Sequence, residues 1–487
     1  MFLSFTEKEI LVFFGRNYYL ERLHELLAKP IASVVTCRGR RRIGKSTLFE
    51  EFAKRYGCRF IKIEGLAPKD DIGDSDQRAA FGSQLALQSN LPELIPDTWL
   101  KAFHLLSSTI QDDSWTVVLL DEISWMGRYA PEFPGALKVA WDNYFKKHNK
   151  LILVLCGSVS RWITDNIVKS SGFLGRRSLN FILPELPLHD AVKFWGERIK
   201  DISTREILDV LAVTGGVPRY LEEMDMSVDA SENIRRTCFS ADGYLFEDFD
   251  DIFNRVFGRS AMRKRSILVA LADGAKTVSE VAKHLGVERN GTLGDELKEL
   301  DTAGFVAQDR GINPETGKQA LEVRYRIKDC YSRFYLHYVA PVRERVEKGL
   351  YSISSLDSMP GWDVMLGLQF ETLVLNNFHS LLPFLDLEHA NILSVGPYIR
   401  RGKRGEGCQI DILIQTEFLA YAVEVKRRKN IGVEVIEEME LKLKRFPRRE
   451  NVTVRKALVY DGKLSAQVEE RRYFDALIPS AALLSTN

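Results

Sequence analysis

The stretch that decides the fold is Gly39-Arg40-Arg41-Arg42-Ile43-Gly44-Lys45-Ser46. It follows the pattern of a glycine, four variable residues, Gly-Lys and then Ser or Thr. A β-branched apolar segment, residues 31–36, precedes it, and a helical segment starting Ser46-Thr47-Leu48 follows it. A turn between a strand and a helix directs backbone N–H groups and the positive helix end at an anion. The stretch therefore predicts a phosphate-binding loop.

The residue types in this loop predict how a nucleoside triphosphate is held. Lys45 would bridge the β- and γ-phosphates, and Ser46 would ligate Mg²⁺. The other predicted contacts are backbone positions of the loop and first helical turn, namely Gly39, Arg42, Ile43, Gly44 and Thr47.

Hydrolysis needs acidic residues at the end of a neighbouring buried strand, and residues 117–122 read Val-Val-Leu-Leu-Asp-Glu. Asp121 would reach Mg²⁺ through water, and Glu122 would polarise the attacking water. Ser158 ends another apolar strand, where its side chain would sense the γ-phosphate, although an ordinary strand-to-helix turn explains it too. A slow, nucleotide-dependent switch is the alternative to an efficient hydrolase.

The chain around these motifs alternates short apolar runs with longer amphipathic segments, which is typical of a parallel sheet covered by helices. Strands are predicted at residues 31–36, 60–64, 116–120 and 151–155. Beyond Pro187 the strands stop, and helices broken at Thr214-Gly215-Gly216-Val217-Pro218 predict a helical lid.

Residues 263–327 predict a winged helix. Three helices, at 263–271, 277–285 and 293–303, are followed by two strands around a turn, and Thr277 with Glu280 forms a capping box. The third helix carries Asp295, Glu296, Glu299 and Asp301 against Lys298 alone. Because that face repels phosphates, a spacer or protein-contact module is favoured over a sequence-reading one.

Composition limits the class of protein. A length of 487 residues exceeds one hydrophobic core, and 45% hydrophobic with 28% charged residues is typical of a folded globular chain. Six scattered cysteines indicate neither a disulfide framework nor a zinc site, which favours a cytoplasmic location. No apolar run approaches the roughly 18 residues needed to cross a membrane, so we expect no membrane-spanning segment.

A second group of polar residues lies near the carboxyl end. Asp411 is in an apolar strand, and a short turn leads to a second strand, Ala422-Val423-Glu424-Val425-Lys426. The period of two puts Glu424 and Lys426 on one face, where Asp411 can meet them. Charges in such a strand are either paired with each other, through a Glu424–Lys426 or Asp411–Lys426 salt bridge, or bound to a metal. Glu371, on a helix predicted at 366–378, would complete the set.

The first group of motifs resembles the archaeal-type ATPase family, within the STAND branch of AAA+-like P-loop proteins. The resemblance spans residues 10–225 and rests on Phe14-Gly15-Arg16, the loop, Leu120-Asp121-Glu122, Cys156-Gly157-Ser158, Gly175-Arg176-Arg177 and Gly216-Val217-Pro218. It implies that Arg176 or Arg177 lies near the γ-phosphate and that Pro218 lies near the base. Asn17 departs from the family, in which a glutamate follows Gly-Arg.

Residues 320–465 resemble the PD-(D/E)XK nuclease fold and the carboxyl-terminal domain often fused to archaeal-type ATPases. The resemblance rests on Gln369-Phe370-Glu371, residues 408–413 and residues 422–426. It implies that Glu371, Asp411 and Glu424 hold Mg²⁺ or Mn²⁺, and that Lys426 positions the attacking water. The basic runs 400–404 and 427–429 lie beside these residues, as a nucleic-acid backbone requires, although a solvated loop has the same composition.

The sequence thus predicts a multidomain α/β protein. Its parts are a P-loop AAA+-like ATPase core (1–187), a helical lid (188–258), a winged helix (259–328) and a PD-(D/E)XK nuclease-like domain (329–487). The predicted function is ATP hydrolysis coupled to DNA binding and metal-dependent DNA cleavage, with RNA left open. A homo-oligomer is expected, and a ring is the form that STAND and AAA+ relatives commonly take. The alternative is a STAND-type signalling switch whose carboxyl-terminal domain binds nucleic acid or protein without cutting.

Overall fold

The computed structural model divides into two compact units, Met1–Leu186 and Pro187–Asn487. Each unit contains a five-stranded sheet, and the second also has a three-stranded one. The structure describes residues 13–69, 71–158, 161–288, 291–320, 322–353, 355–402 and 407–485.

The first unit is built on a parallel sheet with the order β2-β3-β4-β1-β5. Its strands are β1 Ser33–Gly39, β2 Arg59–Glu64, β3 Thr116–Asp121, β4 Leu151–Ser158 and β5 Arg177–Ile182. The four predicted strands are present, with ends shifted by up to three residues. The sequence missed β5, because this edge strand is polar and only half buried, without the apolar run that marks the central strands.

Helices cover both faces of this sheet, so the central strands are buried on both sides. The helices are α1 Asn17–Leu27, α2 Lys45–Arg55, α3 Asp74–Leu87, α4 Trp99–Ser108, α5 Ile123–Met126, α6 Phe133–Asn143 and α7 Arg161–Ile163, with a 3₁₀ turn at Phe145–Lys147 and a π-helical turn at Thr164–Val168.

The second unit begins with helices, as predicted. They are α8 Leu188–Ala191, a 3₁₀ segment Val192–Lys200, α9 Thr204–Thr214, α10 Pro218–Glu222, α11 Ala230–Cys238 and α12 Tyr244–Phe257, which a 3₁₀ turn, Gly258–Ser260, follows. The predicted break lies between α9 and α10. Gly215 has a φ of 58°, which favours glycine, and Pro218 occupies the first turn of α10, where its missing N–H costs nothing.

Residues 261–327 form three helices and a three-stranded antiparallel sheet in the order β6-β8-β7. Two residue pairs offset part of the acidic charge predicted on the third helix: Arg263 lies 3.4 Å from Glu296, and Lys264 lies 2.8 Å from Glu299. The Thr277–Glu280 capping box is present. The elements are α13 Ala261–Leu271, β6 Lys276–Thr277, α14 Val278–His284, α15 Gly291–Thr302, β7 Val306–Asp309 and β8 Arg324–Ile327.

The carboxyl-terminal sheet has the order β13-β12-β11-β10-β9. Strand β10 pairs antiparallel with both β9 and β11, and β12 and β13 extend the sheet in parallel with β11. The strands are β9 Ser394–Arg400, β10 Cys408–Gln415, β11 Leu419–Ile431, β12 Thr453–Leu464 and β13 Ala476–Pro479.

Helices precede and cover this sheet. They are α16 Cys330–Phe334, α17 Arg343–Glu347, α18 Trp362–Asn376, α19 Glu434–Arg445, α20 Ala466–Glu470 and α21 Ser480–Leu484, with a π-helical turn at Tyr335–Val339 and 3₁₀ turns at Ala340–Val342, Leu356–Ser358, Phe378–Leu381 and Pro383–Leu385.

Buried polar contacts join the helices at the start of the second unit to its carboxyl-terminal part. The Gln369 side chain on α18 donates hydrogen bonds to the carbonyls of Ala212 (2.8 Å) and Cys330 (2.7 Å). Arg427 on β11 lies 2.6 Å from Asp209 on α9. Breaking one partner of such a buried pair leaves an unsatisfied group, so these contacts hold the segments in one unit. Across the described ranges, no helix is long and apolar enough to cross a bilayer.

Candidate functional sites

The phosphate-binding loop joins β1 to α2 through two left-handed residues, Arg42 (φ 72°) and Gly44 (φ 77°). Gly39 is required by space, because a Cβ there would lie 2.5 Å from Ile43 Cδ1 and 2.8 Å from a backbone oxygen. Lys45 is buried, and its Nζ donates to the Arg40 carbonyl at 3.0 Å. Lys45 is therefore bonded to the backbone of its own loop, and α2 begins at this residue.

The predicted acidic pair lies beside this loop. The Ser46 hydroxyl donates to the Asp121 carboxylate, which also accepts the Glu122 N–H at 3.0 Å. Both carboxylates are more than nine-tenths buried, and Glu122 has a left-handed backbone with a φ of 47°. The structure thus brings the predicted Mg²⁺ ligands Ser46 and Asp121 into direct contact.

Ser158 joins the same hydrogen-bonded group from the end of β4. Its hydroxyl donates to Glu122 Oε1 at 3.2 Å, and its N–H donates to Oε2 at 3.3 Å. Ser158 therefore orients the Glu122 carboxylate, a contact that the sequence did not predict. A Cβ on the preceding Gly157 would lie 2.7 Å from the Ile163 side chain, so a glycine at this position allows β4 to pack against Ile163.

Arg16 supports the loop from outside. Its guanidinium donates to the carbonyls of Ile43 (3.2 Å) and Glu185 (3.3 Å). Arg16 is buried, and these bonds fix the loop backbone just before Gly44. Sequence analysis assigned no definite role to Arg16, because a contact to a backbone carbonyl 27 residues away leaves no motif.

The two arginines implied near the γ-phosphate lie elsewhere in the first unit. Arg176 forms two hydrogen bonds of 3.1 Å with the Asp142 carboxylate on α6, and this partner lowers the pKa of Asp142. Arg177 is paired with Val34, at the opposite end of β1 from the loop. At about 3.3 Å per residue, roughly 16 Å of strand separate Val34 from Gly39. This placement gives no support to either arginine acting on the nucleotide of its own chain.

Two further residues predicted to contact the nucleotide, Thr47 and Pro218, lie in different units. Thr47 is half buried in the first turn of α2. Pro218 belongs to the second unit, so its implied position near the base stays a prediction.

The carboxyl-terminal group is centred on Glu424, which is fully buried on β11. Its carboxylate is 2.7 Å from Lys426 Nζ and 2.6 Å from Lys442 Nζ. The salt bridge between Glu424 and Lys426 that the sequence left open is therefore present. Lys442, on α19, was missed because the sequence shows it only as part of a basic run at the end of a helix.

Asp411 and Glu371 lie close to Glu424. Asp411 Oδ2 accepts the Val425 N–H at 2.9 Å, and Asp411 Oδ1 lies 3.9 Å from Lys442 Nζ. Glu371 on α18 lines a cavity of about 200 Å³ together with Asp411. Burial and the negative charge of Asp411 raise the pKa of Glu371 to about 8. Burial and Glu424 raise the pKa of Asp411 to about 6.

These three carboxylates form what we call the carboxylate cluster: Glu371, Asp411 and Glu424. Carboxylate oxygens are the ligands that Mg²⁺ and Mn²⁺ prefer, and a divalent cation would relieve the repulsion between carboxylates, so these three residues have the chemistry to hold such an ion. In the described part of the chain, however, no three His, Cys, Asp or Glu side chains are placed to hold a metal ion. The lysines bonded to Glu424 take the oxygens that a metal would need.

Only part of the predicted basic flank, residues 400–404 and 427–429, is available to contact a nucleic-acid backbone. Arg427 is buried between Asp209 (2.6 Å) and Asp461 (3.1 Å), so it stabilises the fold, and residues 427–429 belong to β11 rather than a loop. Arg401 is ion-paired with Glu280. Residues 403 and 404 lie outside the described residues.

Comparisons with known proteins give distant similarities. No family model matches the chain. An uncharacterized protein of Methanocaldococcus jannaschii is 23% identical over 423 residues, covering 85% of this chain and 87% of that protein. A Walker-type ATPase of Pyrococcus abyssi has a TM-score of 0.49 and 19% identity, covering 66% of this chain and 96% of that one. The ORC2 protein of Aeropyrum pernix has a TM-score of 0.41 and 14% identity, covering 69% and 95%. Because these values are low, the roles assigned to residues rest on their geometry.

Proposed function

We propose that this protein is a Mg²⁺-dependent ATPase with its active site at the loop of residues 39–46. The observation that carries the proposal is the continuous hydrogen-bonded group Ser46–Asp121–Glu122–Ser158 beside that loop. A site that only bound nucleotide would not require a second carboxylate oriented by a serine. The parallel sheet and the buried lysine of the loop support the same proposal.

Each residue in this site has a distinct task. Lys45 would leave the Arg40 carbonyl to bind the β- and γ-phosphates, while the N–H groups at the start of α2 bind their oxygens. Ser46 and Asp121 would hold Mg²⁺, which neutralises phosphate charge when bound. Glu122 would orient water for attack on the γ-phosphorus, with Ser158 fixing the direction of its carboxylate.

Lys45→Ala tests the nucleotide site directly. The substitution should abolish ATP binding, measured by titration calorimetry, because it removes the cation that faces the phosphates. Lys54→Ala is the matched control, since Lys54 is exposed on the same helix. ATP binding that persists in Lys45→Ala would reject this site.

For the second unit we propose a winged helix at 259–328 and a PD-(D/E)XK nuclease-like domain at 329–487 that cuts DNA with Mg²⁺ or Mn²⁺. Support comes from α18 followed by three antiparallel strands, α19 and the parallel strand β12, with the carboxylate cluster on α18, β10 and β11. Glu371, Asp411 and Glu424 would hold the metal, and Lys426 would position water beside the phosphate. Burial acts to lower the pKa of Lys426, but the carboxylates of Glu424, Glu438 and Asp411 together more than offset this and raise it, so Lys426 stays protonated.

Asp411→Ala separates this proposal from a purely structural ion-pair cluster. The variant should lose Mn²⁺-stimulated cleavage of labelled DNA while its melting temperature stays the same or rises, because one of several repelling carboxylates is removed. Cleavage that survives in Asp411→Ala, or a steep fall in melting temperature with no cleavage by the parent protein, would contradict it.

The competing proposal is a STAND-type switch whose second unit binds nucleic acid or protein without cutting. It predicts ATP-dependent binding to a panel of DNA or RNA structures with no metal-dependent products. The acidic third helix, α15, favours a contact or spacer role for the proposed winged helix under both proposals. We also propose a homo-oligomer, in which Arg176 or Arg177 would act on a neighbouring subunit.

A further inference from the structure

Lys442 contacts the carboxylate cluster through Glu424, and it has no part in the proposed chemistry so far. It lies four residues after Glu438 on α19, so the two side chains share one helix face. Glu438 is 3.0 Å from Lys426, and Lys442 is within 2.7 Å of both Glu424 oxygens. One helix therefore supplies an anion to Lys426 and a cation to Glu424.

The charges of these groups explain why Lys442 is needed. A fully buried carboxylate such as Glu424 is costly to desolvate without a compensating cation. Lys426 is shared with Glu438, so it neutralises Glu424 only in part. Lys442 supplies the remaining charge, and it also lies 3.9 Å from Asp411.

The Lys442 ammonium lies 2.6 Å from Glu424 and 3.9 Å from Asp411, two residues that would hold the proposed metal. A divalent cation held by these residues would need the Glu424 oxygens that Lys442 contacts, and the two cations would repel each other. The Lys442 side chain is 23% exposed, whereas that of Glu424 is 0% exposed. The lysine thus has a route to solvent that the carboxylate lacks.

We propose that Lys442 is the resident counter-cation of the Asp411–Glu424 pair, and that a divalent metal binds there only by displacing its ammonium. This inference rests on the metal centre proposed above. Lys442 is then a positioning residue, which holds the carboxylates together without metal and sets the affinity for metal.

The test is titration of Mn²⁺ into the full chain, followed by calorimetry, without nucleotide so that the first unit lacks its phosphate ligands. Lys442→Met removes the competing charge and should tighten Mn²⁺ binding at least about tenfold, the factor that corresponds to about 1.4 kcal/mol. Lys442→Arg keeps the charge and should not tighten it. Lys444→Met, at an exposed position of the same helix, should bind as the parent does.

Unchanged or weaker Mn²⁺ binding by Lys442→Met, including no binding by any variant, would overturn the inference. Circular dichroism checks folding, and if Lys442→Met fails to fold, Lys442→Gln decides, because it removes the charge but keeps a hydrogen-bond donor. Tighter binding without DNA cleavage would reject the nuclease proposal and leave the inference about Lys442 standing.

Discussion

At the scale of single residues, the proposed nucleotide site would depend on contacts that hold the loop in shape as well as on groups that would face the phosphates. Arg16 shows this most clearly. Its bond to the Ile43 carbonyl is buried and its bond to the Glu185 carbonyl is partly buried, and hydrogen bonds from a charged donor contribute about 1.5–3 kcal/mol each.

Arg16→Ala should therefore weaken ATP binding about tenfold without touching a phosphate contact. The measurement is a calorimetric dissociation constant. Arg22→Ala is the control, because Arg22 is an exposed residue of α1, the helix that follows Arg16, and is paired with Glu25. Equal affinities for parent and Arg16→Ala would show that the loop holds its shape without this contact.

The sequence predicted the residues that carry the proposed chemistry but not those that support them. Lys45, Ser46 and the acidic pair belong to patterns with fixed spacing, so their positions could be predicted along the chain. Arg16 and Lys442 act on groups brought near by folding, and no local pattern encodes such a contact. The sequence also left open whether Glu424 is ion-paired, which depends on where α19 packs.

At the scale of elements, the central strands were predicted because they are continuous apolar runs. Strand β5 was missed because it is a polar edge strand, and β6, with two residues, is too short to give a pattern. The Thr277–Glu280 box was predicted because a helix cap is a local feature. The packing of the first helices of the second unit against α16 and α18 depends on distant residues, so three predicted domains are joined in one compact unit.

The raised pKa of Glu371, on helix α18, predicts how the stability of the protein depends on pH. Burial and Asp411 raise the pKa of Glu371 to about 8, above the value of about 4.3 for a free glutamate. A raised folded-state pKa means that this group contributes stability below about pH 4, which is lost as pH rises towards 8. With a metal chelator present, Glu371→Gln should therefore have a higher melting temperature than the parent protein between pH 5 and 8.

The expected gain is at least about 2–4 °C, the shift for about 1 kcal/mol in a large domain. Thermal melts at several pH values would measure it. Glu470→Gln, at an exposed position on α20, should follow the parent curve throughout. Parallel curves for Glu371→Gln and the parent would mean that Glu371 is ionised without cost in the folded chain.

At the scale of the whole molecule, the placement of Arg176 and Arg177 bears on assembly. Arg176 is bonded to Asp142, and Arg177 lies on β5 beside Val34, at the end of β1 away from the loop, so we expect any action on the γ-phosphate to come from a second subunit. An arginine supplied in trans by another protein accelerates hydrolysis by about 10³–10⁵-fold in known nucleoside triphosphatases. Specific ATPase activity should therefore rise with protein concentration, measured across the range in which the chain assembles. A flat dependence over that range would confine these arginines to structural roles, such as the Arg176–Asp142 pair.

The central claim is that the chain hydrolyses ATP at the loop of residues 39–46 with Glu122 orienting water. Single-turnover hydrolysis of bound ATP by Glu122→Gln tests it most directly, because binding and chemistry are separated in one experiment. We expect the variant to bind ATP as the parent does and to hydrolyse it about 10²–10⁴-fold more slowly, the usual contribution of a positioned general base. Glu93→Gln, at an exposed position of the same unit, should turn over normally. Hydrolysis by Glu122→Gln at the parent rate would rule out this role for Glu122.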